Sequence, residues 1–349
     1  MPVAVIAITR NGARLGARLR EGLGADLYVL QKYRGQAGAE ARGFTDLKEL
    51  FPRLWQEYDG IVAIMATGIV VRLVAPFLAG KDKDPAVVVM DEAGRFAISL
   101  LSGHLGGGNE LAERCAFVTG ARAVITTATD VNGLPSFDML AKDHGWVIDD
   151  LSRVKVLNSL LLDNEDIAVV DATGLVRSYF HGRGRLAFFD TFVAGVRSGA
   201  RGVVFVANSI VPPQLQAESL LVLRPRNLVL GIGCNKGTSR EEIEGVIAAN
   251  LKRLFLSPRS IACLATAEAK RAEPGLVDCA AALEVPLHWF SSEELNAVAV
   301  PSPASEHALR AIGAAGVAEP AALLASHGGK LLLKKVKDGN VTLAIAEMG

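Results

Sequence analysis

The sequence predicts an α/β protein of three domains: a three-layer N-terminal domain around a parallel sheet, a small mixed α/β middle domain, and a further α/β domain at the C-terminus. Three observations lead there. The chain has 349 residues, whereas single domains commonly take about 100 to 200. Half of it is apolar, enough for several cores. Short β-branched runs alternate with apolar residues at helical spacing, the mark of strands covered by helices. The expected boundaries are residues 1–131, 132–226 and 227–349.

The first domain opens with the apolar run Val3 to Ile8, a buried strand, and Leu15, Leu19 and Leu23 follow on one helical face. ADLYVL is a second strand, and Lys32 to Gly43 reads as a Gly-rich basic loop. Leu47, Leu50, Phe51, Leu54 and Trp55 mark an amphipathic helix that Pro52 is expected to kink, because proline lacks an N–H. GIVAIM, a helix from about Ile69, AVVVMD, FAISLL, a helix over Leu111 to Val118, and AVITTA complete the domain. In the middle domain, helices are expected over Phe137 to His144 and Leu151 to Leu162. Strands are expected over Ile167 to Asp171, Arg185 to Asp190, Gly202 to Ala207 and Leu220 to Leu223, with RPRN (Arg224 to Asn227) as a linker. The last domain opens with strand, glycine turn and helix in LVLGIGCNKGTSREEIEGVIAANLKRL. Both T-S-R-E and S-R-E-E there fit a capping box. SIACLAT, Leu276 to Leu283, PLHWF, Glu306 to Ala314 and Pro320 to Ala325 follow, then a hairpin with Asp338-Gly339 at its tip.

Composition narrows the function classes. Lys plus Arg and Asp plus Glu both number 37, so no net field attracts nucleic acid or an anionic membrane. Charged residues at 21% and no long polar tract argue against disorder. The N-terminal apolar run lacks a basic region before it and reads as a strand rather than a signal peptide. No uninterrupted apolar stretch reaches the roughly 20 residues of a bilayer span. A soluble, cytoplasmic protein is expected. The four cysteines, Cys115, Cys234, Cys263 and Cys279, form no C-x-x-C pair, so neither a disulfide framework nor a zinc knuckle is indicated. His144, His181, His288, His307 and His327 show no metal-ligand spacing.

The segment Ile98 to Ala116, ISLLSGHLGGGNELAERCA, concentrates chemistry. It sets Ser102, His104 and Asn109 among Gly103, Gly106, Gly107 and Gly108, between a strand and a helix. Ligands of open α/β sheets bind at such strand ends, and free backbone N–H groups there suit an anion. The alternative is a turn whose glycines answer only steric needs. The segment fits neither G-x-S-x-G nor G-x-G-x-x-G. Two other strand ends are polar. At one, Thr67 can cap a helix, Gly68 permits close approach and Arg72 can meet an anion. At the other stand Thr127 and Asp130, the latter a candidate base or an orienter of His104. Each alone is a cap or turn residue, whereas together the three ends suggest one cleft. Lys81, in the turn before Pro85, is a further cationic candidate.

In the last domain, Gly231-Ile-Gly233-Cys234-Asn-Lys236-Gly237-Thr238 has a G-x-G-x-x-x-G spacing, one residue longer than the dinucleotide fingerprint. Its amides and Lys236 suit phosphates or carboxylates alike. Cys234 lies in a setting expected to lower a thiol pKa.

Met65 to Gly133 resembles the N-terminal signature of the CbiG family, the cobalt-precorrin-5A hydrolases of anaerobic cobalamin biosynthesis. LGIGCNKGT, LATAEAK, SSEELNAV, GVAEPAALL and LLLKKV are similar to the family's C-terminal domain, shared with CobE proteins. The resemblance implies opening of the ring A δ-lactone of cobalt-precorrin-5A and loss of C20 with its methyl as acetaldehyde, giving cobalt-precorrin-5B. That chemistry needs a base, an oxyanion stabiliser and grips for a polycarboxylate macrocycle. Under it His104 is the candidate base, oriented by Asp130, with Ser102 or the amides around Gly103 to Gly107 facing the oxyanion. Arg72, Lys81, Lys236, Lys270 and Lys335 are candidate carboxylate grips. Cobalt arrives in the substrate, so no protein-held metal or other cofactor is expected. The partner is then a cobalt-containing tetrapyrrole, with a homodimer and transient contact with neighbouring pathway methyltransferases left open. Two rivals stand beside this reading, a non-catalytic corrinoid carrier and a nucleotide-dependent enzyme using the Gly233 loop.

Overall fold

The computed structural model describes residues 1–80 and 83–349, and Lys81 lies outside them. The chain packs as two compact units, Met1–Leu140 and Ala141–Gly349.

The first unit runs β1 (Val3–Ala7), α1 (Arg10–Leu23), β2 (Asp26–Leu30), β3 (Arg42–Phe44), α2 (Leu47–Glu57), β4 (Gly60–Ile64), α3 (Thr67–Val74), β5 (Ala86–Met90), β6 (Phe96–Leu101), α4 (Gly108–Thr119), β7 (Arg122–Val124) and α5 (Ala128–Val131). It ends within α6 (Phe137–Asp143). Seven strands form one sheet, in the order β3-β2-β1-β4-β5-β6-β7. Strand side chains alternate between two cores, as a pleated sheet covered on both faces requires. Val5, Val62 and Val88 pack with Leu15 and Leu19 of α1 and Leu111 and Cys115 of α4. Ile6, Ile61 and Val87 pack with Phe51 and Leu54 of α2 and Val70 of α3. α1 starts where the Thr9 hydroxyl accepts the Gly12 N–H and stops at Gly24, φ 65°. α2 passes through Pro52 without ending. The basic loop expected over Lys32 to Gly43 instead contains a 3₁₀ turn and leads into the edge strand β3.

One joint in this sheet runs against the rest. β1 to β5 are parallel, β5 and β6 are antiparallel, and β7 is parallel to β6. The reversal is made by a tight turn centred on Asp91. Its carboxylate accepts the N–H groups of Ala93, Arg95 and Phe96, and Gly94 takes φ 67°.

The second unit holds two five-stranded sheets. Its elements are β8 (Val147–Ile148), α7 (Leu151–Leu162), β9 (Ile167–Asp171), α8 (Leu175–Phe180), β10 (Leu186–Phe188), α9 (Phe192–Arg197), β11 (Gly202–Val206) and β12 (Leu220–Arg224). They continue with β13 (Leu228–Cys234), α10 (Arg240–Arg253), β14 (Ile261–Ala267), α11 (Pro274–Ala282), β15 (Leu287–Phe290), α12 (Ser292–Asn296), α13 (Glu306–Ile312), α14 (Ala318–Ala325), β16 (Lys330–Asp338) and β17 (Val341–Glu347). The middle sheet has the order β10-β9-β11-β12-β8, with only the β12–β8 pair antiparallel. Arg224, expected in a linker, is a buried end of β12. Its guanidinium donates to Asp149 at 2.6 and 3.0 Å and to the Ala207 carbonyl at 2.9 Å. The C-terminal sheet has the order β15-β14-β13-β17-β16. α10 and α11 cover one face, against Leu228, Leu230 and Ile232. α14 covers the other, where Ala321 and Ala325 meet Val229 and Ala265. At the start of α10, Ser239 accepts the Glu242 N–H, but the Glu242 carboxylate turns to Asn340, so the expected box is half formed. A complete one stands at Ser291 and Glu294.

Candidate active site

The loop after β6 folds as it does because of crowding. Ser102 takes φ 54° and Gly107 φ 83°. A Cβ on Gly106 would lie 2.3 Å from the Ser102 Cβ, and one on Gly108 would lie 2.5 Å from the Leu101 carbonyl oxygen. The N–H groups of Gly107, Gly108 and Asn109 are used within the loop, on the carbonyls of His104, Ser102 and Gly103. The Ser102 hydroxyl donates to the Asp84 carbonyl at 2.9 Å. Asp84 in turn accepts the Ala79 and Gly80 N–H groups. Ser102 therefore ties two loops together, and its proton faces that carbonyl rather than an oxyanion.

This arrangement holds His104 between two carboxylates. Its Nδ1 lies 3.1 Å from Asp138 Oδ2 and its Nε2 lies 2.8 Å from Asp130 Oδ2. The Thr129 hydroxyl is 3.2 Å from the same Nε2. Asn109 fixes Asp130 from behind, donating 3.0 Å to its Oδ2 and 3.1 Å to the Thr127 hydroxyl. The exposures are graded: the Asp138 side chain is 3% exposed, His104 15% and Asp130 43%. The site is thus anchored inside and open at Asp130. The hydrogen bond to Asp138 raises the His104 pKa, burial opposes it, and Asp130 adds to the rise.

The sequence paired His104 with Asp130 and Asn109, which the fold brings together with Thr127. It missed Asp138 and Thr129. Asp138 sits in the first turn of α6, where an acidic residue reads as dipole complement. Its one distinguishing signal is a carboxylate between apolar Phe137 and Met139, on a helix needing a buried face.

The three polar strand ends do not share a cleft. β6 opposes β5, so its C-terminal end meets the start of β5: Leu101 pairs with Val87, while Ile64 at the end of β4 pairs with Met90. Thr67 and Gly68 leave β4 at the opposite rim, about 15 Å away for strands of this length. Thr67 is the first helical residue after the N-cap Ala66 and makes no side-chain cap. Arg72 donates to the Gly68 carbonyl at 3.0 Å. β7 runs with β6, which is why Asp130 reaches His104 and Thr127 reaches Asn109.

In the second unit, Gly231 is a packing residue: a Cβ there would lie 1.9 Å from the Ala318 carbonyl oxygen. Gly233 is free of such crowding, its nearest neighbour being Val317 at 3.5 Å. Burial pushes the Cys234 thiol up to about 11, overriding the opposing influence of Lys270, so the expected activation is reversed. Lys270 pairs with Glu273 at 3.2 Å. Glu273 also accepts the Gly237 N–H at 2.5 Å, which lowers its pKa. Thr238 donates to the Asn235 carbonyl, Lys236 is exposed, and Lys335 donates to the Pro303 carbonyl. A cleft of about 610 Å³ opens beside Gly237 and Thr238, lined also by Arg240, Glu273, Pro274 and Asp278. Among the described residues no group of three or more His, Cys, Asp or Glu is placed to hold a metal ion. Among the described residues no helix is long and apolar enough to cross a membrane.

Fold and site define a multi-sheet α/β protein carrying a carboxylate-clamped imidazole on a glycine-rich strand end. Residues 49–130 match the family model Cobalamin synthesis G N-terminal, residues 135–225 match Cobalamin biosynthesis central region, and residues 228–346 match Cobalamin synthesis G C-terminus. The chain belongs to the CbiG family of cobalamin synthesis. It is 35% identical to the cobalt-precorrin-5A hydrolase of Priestia megaterium, across 98% of this chain and 94% of that one. It is 31% identical to the Salmonella typhimurium enzyme of the same name, across 98% and 97%. A solved structure of CobE, a protein from the cobalamin biosynthetic pathway, is 34% identical and covers 35% of this chain and 91% of its own, with a TM-score of 0.33.

Proposed function

We propose that this chain is a cobalt-precorrin-5A hydrolase that opens the ring A δ-lactone of its substrate and releases acetaldehyde, giving cobalt-precorrin-5B. The observation that carries the reading is an imidazole clamped by Asp130 and Asp138, in a chain that covers 94% and 97% of two proteins named cobalt-precorrin-5A hydrolase. Water adds to the lactone carbonyl and the acyl C–O bond breaks, leaving a carboxylate and a C20 hydroxyl. Loss of the hydroxyl proton lets C20 depart as acetaldehyde, with the electron pair of its broken C–C bond kept by the macrocycle. His104 and Asp130 supply the proton transfers. Cobalt belongs to the substrate, and the protein brings no metal of its own to the reaction. Lys81 in the first unit and, in the second unit taken by itself, Lys236, Lys270 and Lys335 are the proposed carboxylate grips, whereas Arg72 stands at the rim away from His104; a cytoplasmic reaction and self-association or transient methyltransferase contacts belong to the same reading.

The test is anaerobic incubation of the pure protein with cobalt-precorrin-5A. Acetaldehyde should appear, and a folded His104→Ala variant should release it more slowly by about 100-fold or more. Tight corrinoid binding with no aldehyde would identify a carrier instead. A thermal shift with nucleotides and none with corrinoids would point to the Gly233 loop as a nucleotide site.

A further inference from the structure

Each nitrogen of the His104 ring faces a carboxylate oxygen, Asp138 at Nδ1 and Asp130 at Nε2. A neutral imidazole has one N–H and one lone pair, so in that geometry its lone pair would point at a carboxylate. Only the doubly protonated ring donates at both ends. Asp138, nearly inaccessible to water, adds a second reason, because a positive ring beside it offsets part of the cost of burying a carboxylate. We propose that His104 rests as an imidazolium clamped by Asp138, so that it is the proton donor of the site, with Asp130 as the base and Asp138 as the positioning residue. This inference rests on the hydrolase reading for its chemistry, but not for its account of the ring.

The division of labour follows from which oxygens are taken. Asp130 Oδ2 accepts from His104 and from Asn109, while among the described residues nothing donates to its Oδ1, and the side chain is the most open of the cluster. A water losing its proton to Oδ1 forms the new C–O bond at the lactone carbonyl. When the ring-opening C–O bond breaks, the departing alkoxide takes the Nε2 proton. Asp130 is then neutral with its proton on Oδ1 and His104 has lost its Nε2 proton, and a solvent water at the open Asp130 edge passes the proton from Oδ1 to Nε2 and restores both. Water is the only co-reactant. Among the described residues, the contacts seen at the ring are Asp138 from α6, Asp130 and the neutral Thr129 from α5, with the neutral Asn109 of α4 behind Asp130.

The experiment is an NMR titration of the full chain carrying ¹⁵N-histidine, with the His104 signals assigned by their loss in His104→Asn. At pH 7.5 both His104 nitrogens should show imidazolium shifts. In Asp138→Asn the midpoint should fall by about one pH unit or more, and the alkaline limb of the pH profile for aldehyde release should move down with it. Asp130→Asn should keep Nδ1 protonated while release falls about 100-fold. Should Asp138→Asn not fold, Asp138→Glu supplies the comparison: retention of the raised midpoint supports the clamp. A His104 ring that is neutral at pH 7.5 with its one proton on Nδ1 overturns the proposal, as does an unmoved midpoint in Asp138→Asn. If the wild-type protein releases no aldehyde, the hydrolase reading fails on that result, while the titration still decides the state of the ring.

Discussion

Replacing Gly231 with Ala puts a methyl group where the backbone of α14 already stands. The new Cβ would lie 1.9 Å from the Ala318 carbonyl oxygen, 2.9 Å from its carbon and 2.8 Å from the Ala322 nitrogen. None of these atoms is the end of a flexible side chain, so helix and strand must part by about 1 Å across a close-packed face. Overpacking a core typically costs about 1 to 3 kcal/mol. A contact made wholly with backbone belongs at or above the top of that range, while the gain from replacing a strand glycine is at most about 1 kcal/mol. A net loss of about 2 to 3 kcal/mol should lower the melting temperature of a unit this size by roughly 4 to 12 °C. Gly233→Ala is the matched control, since its Cβ would meet only Val317 and Thr342 at 3.5 Å or more. Differential scanning calorimetry of both variants separates a packing glycine from a ligand-binding one. A Gly231→Ala protein that melts with the wild type yet no longer acts on substrate would refute the packing account.

Other outcomes follow from the same physics. Arg224→Ala removes the buried guanidinium from Asp149 and the Ala207 carbonyl, while Asp149 keeps Arg259 at 3.6 Å, and should cost about 1.5 to 3 kcal/mol by urea unfolding; Arg224→Lys should recover little, because an ammonium cannot span Asp149 and the Ala207 carbonyl together. Cys234, its thiol raised to about 11, should resist iodoacetamide in the native protein at pH 7.5 and react only on unfolding. His104 has a raised folded-state pKa, so its stabilising contribution is complete below its ordinary value of about 6.5 and lost as pH rises through the raised one. Unfolding measured from pH 6 to 10 should show the stability of the first unit falling on the alkaline side, with the fall absent in His104→Gln. Glu273 shifts the other way, held low by the Gly237 N–H. Its contribution is present above the ordinary glutamate range and lost as pH falls through the lowered value, a loss that Glu273→Gln should remove.

What the sequence made legible was whatever rests on neighbours along the chain. Fully apolar runs such as Val3–Ala7 and Ala86–Met90 are buried strands, and Asp338-Gly339 turns the last hairpin where expected. β3 was hidden because three residues, Arg-Gly-Phe, are too few to show alternation. The six-residue helices α8 and α9 are too short for a helical period to emerge. Strand direction leaves no trace in periodicity, and so β6 was placed parallel to its neighbour. In the site, the glycine-rich segment announced His104, but its buried partner Asp138 is 34 positions away and is brought home only by the fold. The crowding at Gly231 and the raised thiol pKa of Cys234 were hidden for a similar reason: α14 and the burial around the thiol come from distant parts of the chain.

The turn at Asp91 through Gly94 reaches well beyond its own few residues. In most sheets built from co-directed strands, loops bearing chemistry crowd one rim while the other serves as foundation. By turning the chain back on itself once, this turn delivers β6, β7 and their working loops to what would otherwise be the foundation side. Under the proposed function the ligand lies at the rim opposite the one that the majority of strands points to, and a transplant of the His104 loop into another scaffold would have to carry that about-face with it.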